Sequence, residues 1–262
     1  MKKYLRLYWL FIKYSVMHAI TYRASFVVWS LISIVWTLLL IAFYEILFLN
    51  VDTIAGWTKS QVLLVQGFYF MIEMVMWGMM WENMRQIPEK INKGTMDLEL
   101  LKPVNHQFML SFKTFSLDNM NNFVLGVATI GYALKIGNVT PNLSSFSLAL
   151  ASFILACIFI YSAWFSTMCI AFWFDRIENL YHLFPALRNF WKIPQPFFKG
   201  FLRTLFTFVI PITLVTTVPT EFLLGRFNWL NLLVLFVFAI ASLFFSRWFF
   251  SVAVKRYSGA SA

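Results

Sequence analysis

The chain alternates long apolar stretches with short polar ones. Six stretches, at about 25–49, 61–81, 115–134, 146–174, 202–224 and 229–254, are each long enough to cross a bilayer as a helix, because a hydrocarbon core of about 30 Å takes about 20 helical residues. The fourth exceeds that length and predicts a helix that tilts or protrudes. Pro211 and Pro219 fall inside the fifth. Proline lacks a backbone donor and its ring crowds the preceding turn, so a kink or break is predicted, with the end of the segment folded as a short re-entrant element. The first 22 residues are mostly Leu, Ile, Tyr, Trp and Phe, with Lys2, Arg6 and Lys13 on one narrow helical stripe. That pattern predicts a helix in the membrane interface, its basic stems reaching toward lipid phosphates; the other reading is a plain topological anchor.

The polar connections at 50–60, 135–145 and 225–228 are too short for a separate domain, and no internal repeat or low-complexity tract is visible. The predicted organisation is one transmembrane domain over residues 1–262. An interfacial helix occupies 1–24, a six-span bundle 25–254, a cytoplasmic loop 85–113 and a cytoplasmic tail 255–262. The apolar run near the N-terminus is too long for a signal peptide and has no small-residue cleavage site after it, so it is expected to be retained.

Composition agrees. The chain is 60% hydrophobic and 12% charged, with 31 Phe and 11 Trp, whereas an ordinary soluble domain carries about 25% charged residues. The net charge of +10 does not indicate nucleic acid, because it is spread over short loops rather than gathered on a polar domain. It is a topology signal instead. Eighteen of the 21 Lys and Arg lie at the N-terminus, in the loops after spans two and four, and at the C-terminal end; the alternate loops hold only Lys59, Lys135 and Arg226. The positive-inside rule places both termini and the two longer loops in the cytoplasm.

Catalytic constellations are missing. His18, His106 and His182 are scattered, and Cys157 and Cys169 are twelve residues apart in one apolar stretch, about 18 Å along a helix and beyond disulfide reach. No HExxH, GxSxG or GxxxxGK[ST] occurs, which leaves no metalloprotease, hydrolase or nucleotide-binding signature. No catalytic residue and no metal site is assigned. If transport here consumes energy, another chain hydrolyses the nucleotide.

One polar segment stands out: INKGTMDLELLKP, residues 91–103, with Lys93, Asp97, Glu99 and Lys102 inside it and Lys90 just upstream. Pro88 disfavours a helix across the junction before it, and Gly94 and Pro103 bracket one to three helical turns. Thr95 is placed to cap that helix, and Asp97 sits in its first turn, where the helix dipole favours a carboxylate. Met96, Leu98, Leu100 and Leu101 give apolar bulk suited to a groove in a partner protein. By these residues alone, a solvated loop with an incidental helix is the favoured reading.

The run Gly94-Thr95-Met96-Asp97-Leu98-Glu99-Leu100-Leu101-Lys102-Pro103 resembles the G-x-(L/M)-D-x-x-L-L-(K/R)-P signature of ABC-2-type transporter permeases. It is closest in pattern to a six-span subfamily of about 260 residues, often found as paired permeases beside one ATPase. Phe208 to Pro211, then Pro219 and Leu223-Leu224-Gly225, resemble that subfamily's fifth-span pattern, and Lys255-Arg256-Tyr257-Ser258-Gly259-Ala260 its usual ending. Phe184-Pro185 stands where Tyr-Pro is expected. The resemblance covers essentially the whole chain. It implies an all-α polytopic fold of the ABC-2, type V exporter-like kind, with six transmembrane helices, an N-terminal elbow helix and a cytoplasmic coupling helix. It implies two ABC ATPase subunits beneath a permease dimer, the second permease being a paralogue by the subfamily's habit or else a second copy. ATP and Mg then sit on the ATPase, this chain binds no cofactor of its own, and membrane lipid surrounds it in the bacterial cytoplasmic (inner) membrane. The implied activity is export of a lipid-like, drug, peptide or polysaccharide substrate. Gly94, Thr95, Met96, Asp97, Leu98, Glu99, Leu100, Leu101 and Lys102 become the ATPase-contacting coupling helix, the leucines and Met96 as buried contact and Asp97, Glu99 and Lys102 as register-setting charges. Asp175, Arg176, Glu178, Arg188 and Lys192 become a second cytoplasmic contact.

Glu73 falls mid-span, where a carboxylate is costly and marks a functional site. By depth along parallel helices it matches Arg247 to within a few Å. The two are candidates for an intramembrane pair, or Glu73 lines the pathway and meets a cationic or polar group. Glu45 and Glu221 are expected near hydrated outer ends. Met71, Met74, Met76, Met79, Met80 and Met84 cluster with Trp77 and Trp81, a flexible surface for substrate or dimer or ordinary packing. Trp29, Trp36, Trp57, Trp191 and Trp229 look like interface-belt residues. The competing functional reading is a passive or proton-coupled carrier that uses Glu73. A membrane-embedded enzyme would need a catalytic set that the sequence does not assemble.

Overall fold

The fold is taken from a computed structural model, which describes residues 2–21, 23–174 and 180–257. Helix α1 (Lys2–Thr21) leads into α2 (Arg23–Leu47). A minimal hairpin, β1 (Thr53–Ile54) and β2 (Trp57–Thr58), pairs Thr53 with Thr58 and Ile54 with Trp57. Its turn residues Ala55 and Gly56 both have positive φ, as a two-residue hairpin turn of matching twist requires. Helix α3 (Lys59–Glu73) continues through a π-helical stretch, Met74–Met80, into α4 (Trp81–Asn92), so that 59–92 is one rod. The short α5 (Asp97–Leu100) and α6 (His106–Phe112) follow, then α7 (Met120–Ile136) and α8 (Leu143–Cys169). Asn142 caps α8 by accepting from the Ser145 amide at 2.7 Å. Next come α9 (Leu180–Leu183), 3-10 turns at Pro185–Lys192 and Gln195–Phe197, α10 (Gly200–Thr204) with a π turn at Leu205–Val209, α11 (Leu214–Leu223) and α12 (Trp229–Val254).

Four helices are long and apolar enough to cross a membrane, and a fifth span is reached if Gly200–Val209 and Leu214–Leu223 count as one, bent by 87°. The break falls where the sequence places Pro211. Ile210 before it is extended, the conformation a following proline imposes. Pro219, in contrast, is accommodated inside α11. Helix α7 has 17 residues, about 25 Å at 1.5 Å per residue, and so falls short of a full span by itself.

Helix α7 lies along α3, and α8 packs between α11 and α12. Glycine sets the first of these contacts. A Cβ on Gly126 would lie 2.7 Å from the Gly67 carbonyl, and one on Gly67 would lie 2.4 Å from an Ile130 side-chain carbon. Such close approach by small residues is how helices associate where lipid removes the hydrophobic drive. Helix α11 is buried along its whole length, Glu221 included, so Glu221 is not the hydrated group the sequence suggested. Met76, Met80 and Met84 are buried in the core, which makes them packing residues rather than a free surface. Trp191 and Trp57 are buried as well, whereas Trp229 is exposed as a belt residue would be. Exposed apolar side chains cover α2 and much of α12.

The turns carrying α5 and α6, the start of α1 and the end of α12 gather at one end of the bundle. There, Lys3 and Tyr4 bond the backbone of Pro103 and Asn105, and Tyr257 lies edge-on to Phe172. The hairpin and the 137–142 connection lie at the other end, with Gly137 against Ser60.

The segment after α8 departs most from expectation. It does not remain a loop at the α5 end. It climbs beside the rod, antiparallel to it. Tyr181 and His182 meet Trp81; Phe184 stacks on Trp164; Arg188 reaches Glu73; the Lys192 carbonyl accepts from Gln66; and Phe197 packs with the Trp57, Val62 and Val65 cluster. Non-helical backbone at membrane depth must be satisfied by protein. Here Gln66 Nε2 donates to the Lys192 carbonyl (2.7 Å), Thr216 Oγ1 to the Trp191 carbonyl (2.6 Å), and the Gln195 amide to Thr217 Oγ1 (3.0 Å).

Candidate functional site

Two places collect chemistry. The first is the turn between α4 and α6. Helix α4 runs through Pro88, which is buried within it, so the junction before the turn is helical and not broken as the sequence suggested. The helix stops at Gly94, whose φ of +67° lies in the left-handed region that glycine enters without penalty. The chain then folds back, with the Thr95 amide bonded to the Lys90 carbonyl at 2.9 Å. Helix α5 is a single turn of four residues, and no side chain caps it. Thr95 is therefore not its cap: its side chain points back at Lys90 and its carbonyl takes the Leu98 amide.

Within this turn the residues divide by direction. Met96 is fully buried in the protein's own core, and Glu99 is only 5% exposed. Glu99 accepts from three ammonium groups, Lys102 at 2.5 Å, Lys90 at 2.9 Å and Lys113 at 3.2 Å. Leu98 and Leu101 point outward, 65% and 80% exposed. Leu100 is half-buried, as are Asp97, Gly94 and Lys102, while Thr95 is exposed. The partner contact inferred for Met96 and the register role inferred for Glu99 are corrected: both hold the turn from inside. The surface left for a partner is Leu98 and Leu101 with polar neighbours.

Helix α1 braces this turn. Asn105 caps α6 (2.9 Å to the Phe108 amide), and α1 lies along α6 through edge-on Tyr4–Phe108 and Tyr8–Phe112 contacts. Lys3 donates to the Pro103 carbonyl (3.0 Å), and Ser15 accepts from the Phe115 amide (3.1 Å).

Glu99 lends the turn a pH dependence. Burial alone would raise its carboxyl, but hydrogen bonds from Lys102 and Lys90, the Lys90 charge and Lys113 outweigh it and hold the group down at about 2. A folded value below the unfolded one contributes stability at neutral pH that is lost as pH falls from the ordinary range of about 4.3 toward the folded value. Between pH 7 and pH 3, the melting temperature of the wild type is expected to fall more steeply than that of Glu99→Gln. Superimposable profiles would show that the three lysines do not bias Glu99.

The second place is a cavity of about 660 Å³ between α2, the α3–α4 rod, the 117–119 turn and the climbing segment. Trp29, Trp36, Tyr69, Trp77 and Trp81 line it, with Glu73, Arg188 and Lys192 in its wall and Glu82 and Asp118 also lining it. Arg188 Nη1 lies 3.3 Å from Glu73 Oε2, and Trp77 Nε1 donates to the same oxygen at 2.9 Å. The guanidinium sits 5.3 Å from the Trp77 ring centre, and the Lys192 ammonium 5.0 Å from that of Tyr69, both within cation–π range. Glu73 lies where the rod turns π-helical, a winding frequent at functional sites.

The structure therefore does not pair Glu73 with Arg247. Depth along two helices matched them, but Arg247 lies exposed on α12, and the non-helical climb brings Arg188 to Glu73 instead. For the same reason Arg188 and Lys192 line the cavity and are not a second contact at the α5 end. Asp175, Arg176 and Glu178 lie outside the described residues, as do Ser258, Gly259 and Ala260. Glu45 is ion-paired with Lys59 (2.7 Å). The Arg188 pair was missed because the climb was read as a solvated loop. A signal was present: Phe184, Phe190, Trp191, Phe197 and Phe198 are poor solvent-loop residues.

The family described as "ABC-2 family transporter protein" matches residues 34–261. No curated protein and no solved structure matches the chain.

Proposed function

The chain belongs to the ABC-2 family of transporter proteins, and from that premise we propose that it is the membrane-spanning permease of an ATP-driven exporter whose ATP is hydrolysed by a separate chain. A multi-pass protein of this family is a permease component, not the hydrolysing enzyme. The observation that carries the proposal is the α5 turn. Two leucines stand exposed on a turn fixed from within by Met96 and the Glu99–lysine cluster and braced by α1. An exposed apolar pair on a rigid polar platform fits a docking element. In this reading α5 is the coupling helix, α1 the elbow, and the turn end of the bundle faces the cytoplasm of a bacterial inner membrane. Charge supports that sidedness: even with Arg188, Lys192, Lys199 and Arg203, on and beyond the climb, set aside, fourteen Lys and Arg oppose three. Six membrane passages are completed by α7 and by the bent pair, two ATPase subunits bind beneath, and a second permease, a paralogue by preference, completes the dimer. ATP and Mg reside on the ATPase. The Glu73–Arg188 pair weighs against a carrier that uses Glu73 as a free proton relay.

The test is copurification with the ATPase encoded beside it. Leu98→Asp with Leu101→Asp is expected to weaken ATPase association by roughly a hundredfold, about 1–2 kcal/mol per exposed anchor, and to leave the permease's own melting temperature unchanged. An ATPase that stays bound to the double variant would overturn the coupling role of α5.

A further inference from the structure

We propose that the cavity beside the α3–α4 rod binds an amphipathic organic anion, its acid group held by Lys192 and Arg188 and its flat apolar body by the surrounding tryptophans. This deepens the reading of the chain as a permease, and it rests on that reading only in making the ligand a transported one.

The argument begins with charge. Five acidic and basic side chains line the cavity: Glu73, Glu82, Asp118, Arg188 and Lys192. Glu73 is matched by Arg188. Glu82 is matched by Arg85, which lies outside the lining, at 3.0 Å. Asp118 sits in the 117–119 turn beside α1 and α2, one or two helical turns nearer the α5 end than Glu73, where the Ser116 amide bonds the Gly78 carbonyl. That leaves Lys192. Among the described residues no carboxylate oxygen comes within 4 Å of the Lys192 ammonium, which lies 5.0 Å from the centre of the Tyr69 ring. An intramembrane cation normally pairs with an opposite charge. The half of the cavity between Tyr69 and Glu73 thus holds two cations against one carboxylate, and an entering monoanion would balance it.

Geometry agrees. Glu73 Oε2 accepts from both Trp77 and Arg188, so the charge of this carboxylate is already matched within the protein, while its Oε1 is buried without a hydrogen-bond partner among the described residues and is open to a donor group of a ligand. The planar guanidinium of Arg188 keeps further donors, since only one of its nitrogens meets Glu73, and guanidinium forks suit oxyanions. The walls fit a flat body: Trp29 and Trp36 from α2 face Tyr69, Trp77 and Trp81 from the rod. A volume of about 660 Å³ is that of a drug-sized site.

The test uses three probes sharing one flat body: 1-pyrenebutyrate, 1-pyrenebutanol and 1-pyrenebutylamine. Each is titrated into the full-length chain in nanodiscs of neutral lipid, with binding read as energy transfer from tryptophan to pyrene. The acid is expected to bind saturably and about tenfold more tightly than the alcohol, the range of one charge-assisted contact. Lys192→Gln is expected to remove that advantage and leave the alcohol unaffected, while Lys192→Arg keeps it. Equal binding of all three probes overturns the proposal, as does tighter binding of the amine. Loss of acid binding in Lys192→Arg as well as Lys192→Gln would make Lys192 a structural residue and also overturn it. Since the assay needs no ATPase, acid binding can fail while coupling through Leu98 and Leu101 stands, and the reverse.

Discussion

Arg188→Leu is expected to destabilise the protein by about 3 kcal/mol or more, because it strands the Glu73 carboxylate at membrane depth. Removing one partner of a buried pair typically costs about 3–5 kcal/mol, whereas replacing both is often nearly neutral. The cavity gives Arg188 some access to water, which puts the expectation at the lower end. The double variant Glu73→Gln with Arg188→Leu should therefore recover most of the loss. Thermal unfolding of the three proteins in the same detergent measures both effects. A single variant as stable as the wild type would mean that the pair does not hold the climbing segment against the rod.

A second large effect is expected from a glycine. In Gly126→Val the new side chain meets the Gly67 carbonyl and the Met71 amide, both backbone, so no rotamer change relieves the overlap. Helices α3 and α7 must separate, at the upper end of overpacking costs, about 3 kcal/mol, and the cavity wall formed by the same rod shifts with them. Gly131→Val on the same helix, where a Cβ meets nothing within 4 Å, is the control and should change little. Comparable melting temperatures for the two variants would show that close approach at Gly67 is not what packs α7.

The sequence makes some of this legible and hides the rest for physical reasons. Apolar length marks α2, the rod, α8 and α12, because a bilayer demands it. Pro211 marks the break before α11, because a proline dictates the conformation of its predecessor. The exposed turn is found through its glycine and paired leucines. Direction is not legible there: Leu98 and Met96 are both apolar, and only the fold sends one outward and the other into the core. Glu99 reads like Asp97 until three lysines from three places in the sequence converge on it. The largest miss has one cause. Charges in a connecting segment are counted as wet, and helical depth arithmetic compares only helices. A 3-10 climb carrying Arg188 and Lys192 satisfies neither assumption, so the partner of Glu73 is assigned to the wrong element.

The π-helical stretch at Met74–Met80 also sets the rotational phase between the two sites. It lies on one continuous rod, with Tyr69 and Glu73 before it and α4, leading to Leu98 and Leu101, after it. A π turn amounts to one residue added to an α-helix, about 100° of rotation at 3.6 residues per turn. Deleting a single residue here would remove the π turn and leave α4 in its present phase, whereas the same residues wound as plain α-helix would swing Trp81, α4 and the leucines beyond it about a quarter of the way round the axis relative to Tyr69 and Glu73. The stretch thus indexes one surface to the other, and the length of seven ordinary-looking residues fixes the angle at which the chain presents itself to whatever binds beneath it.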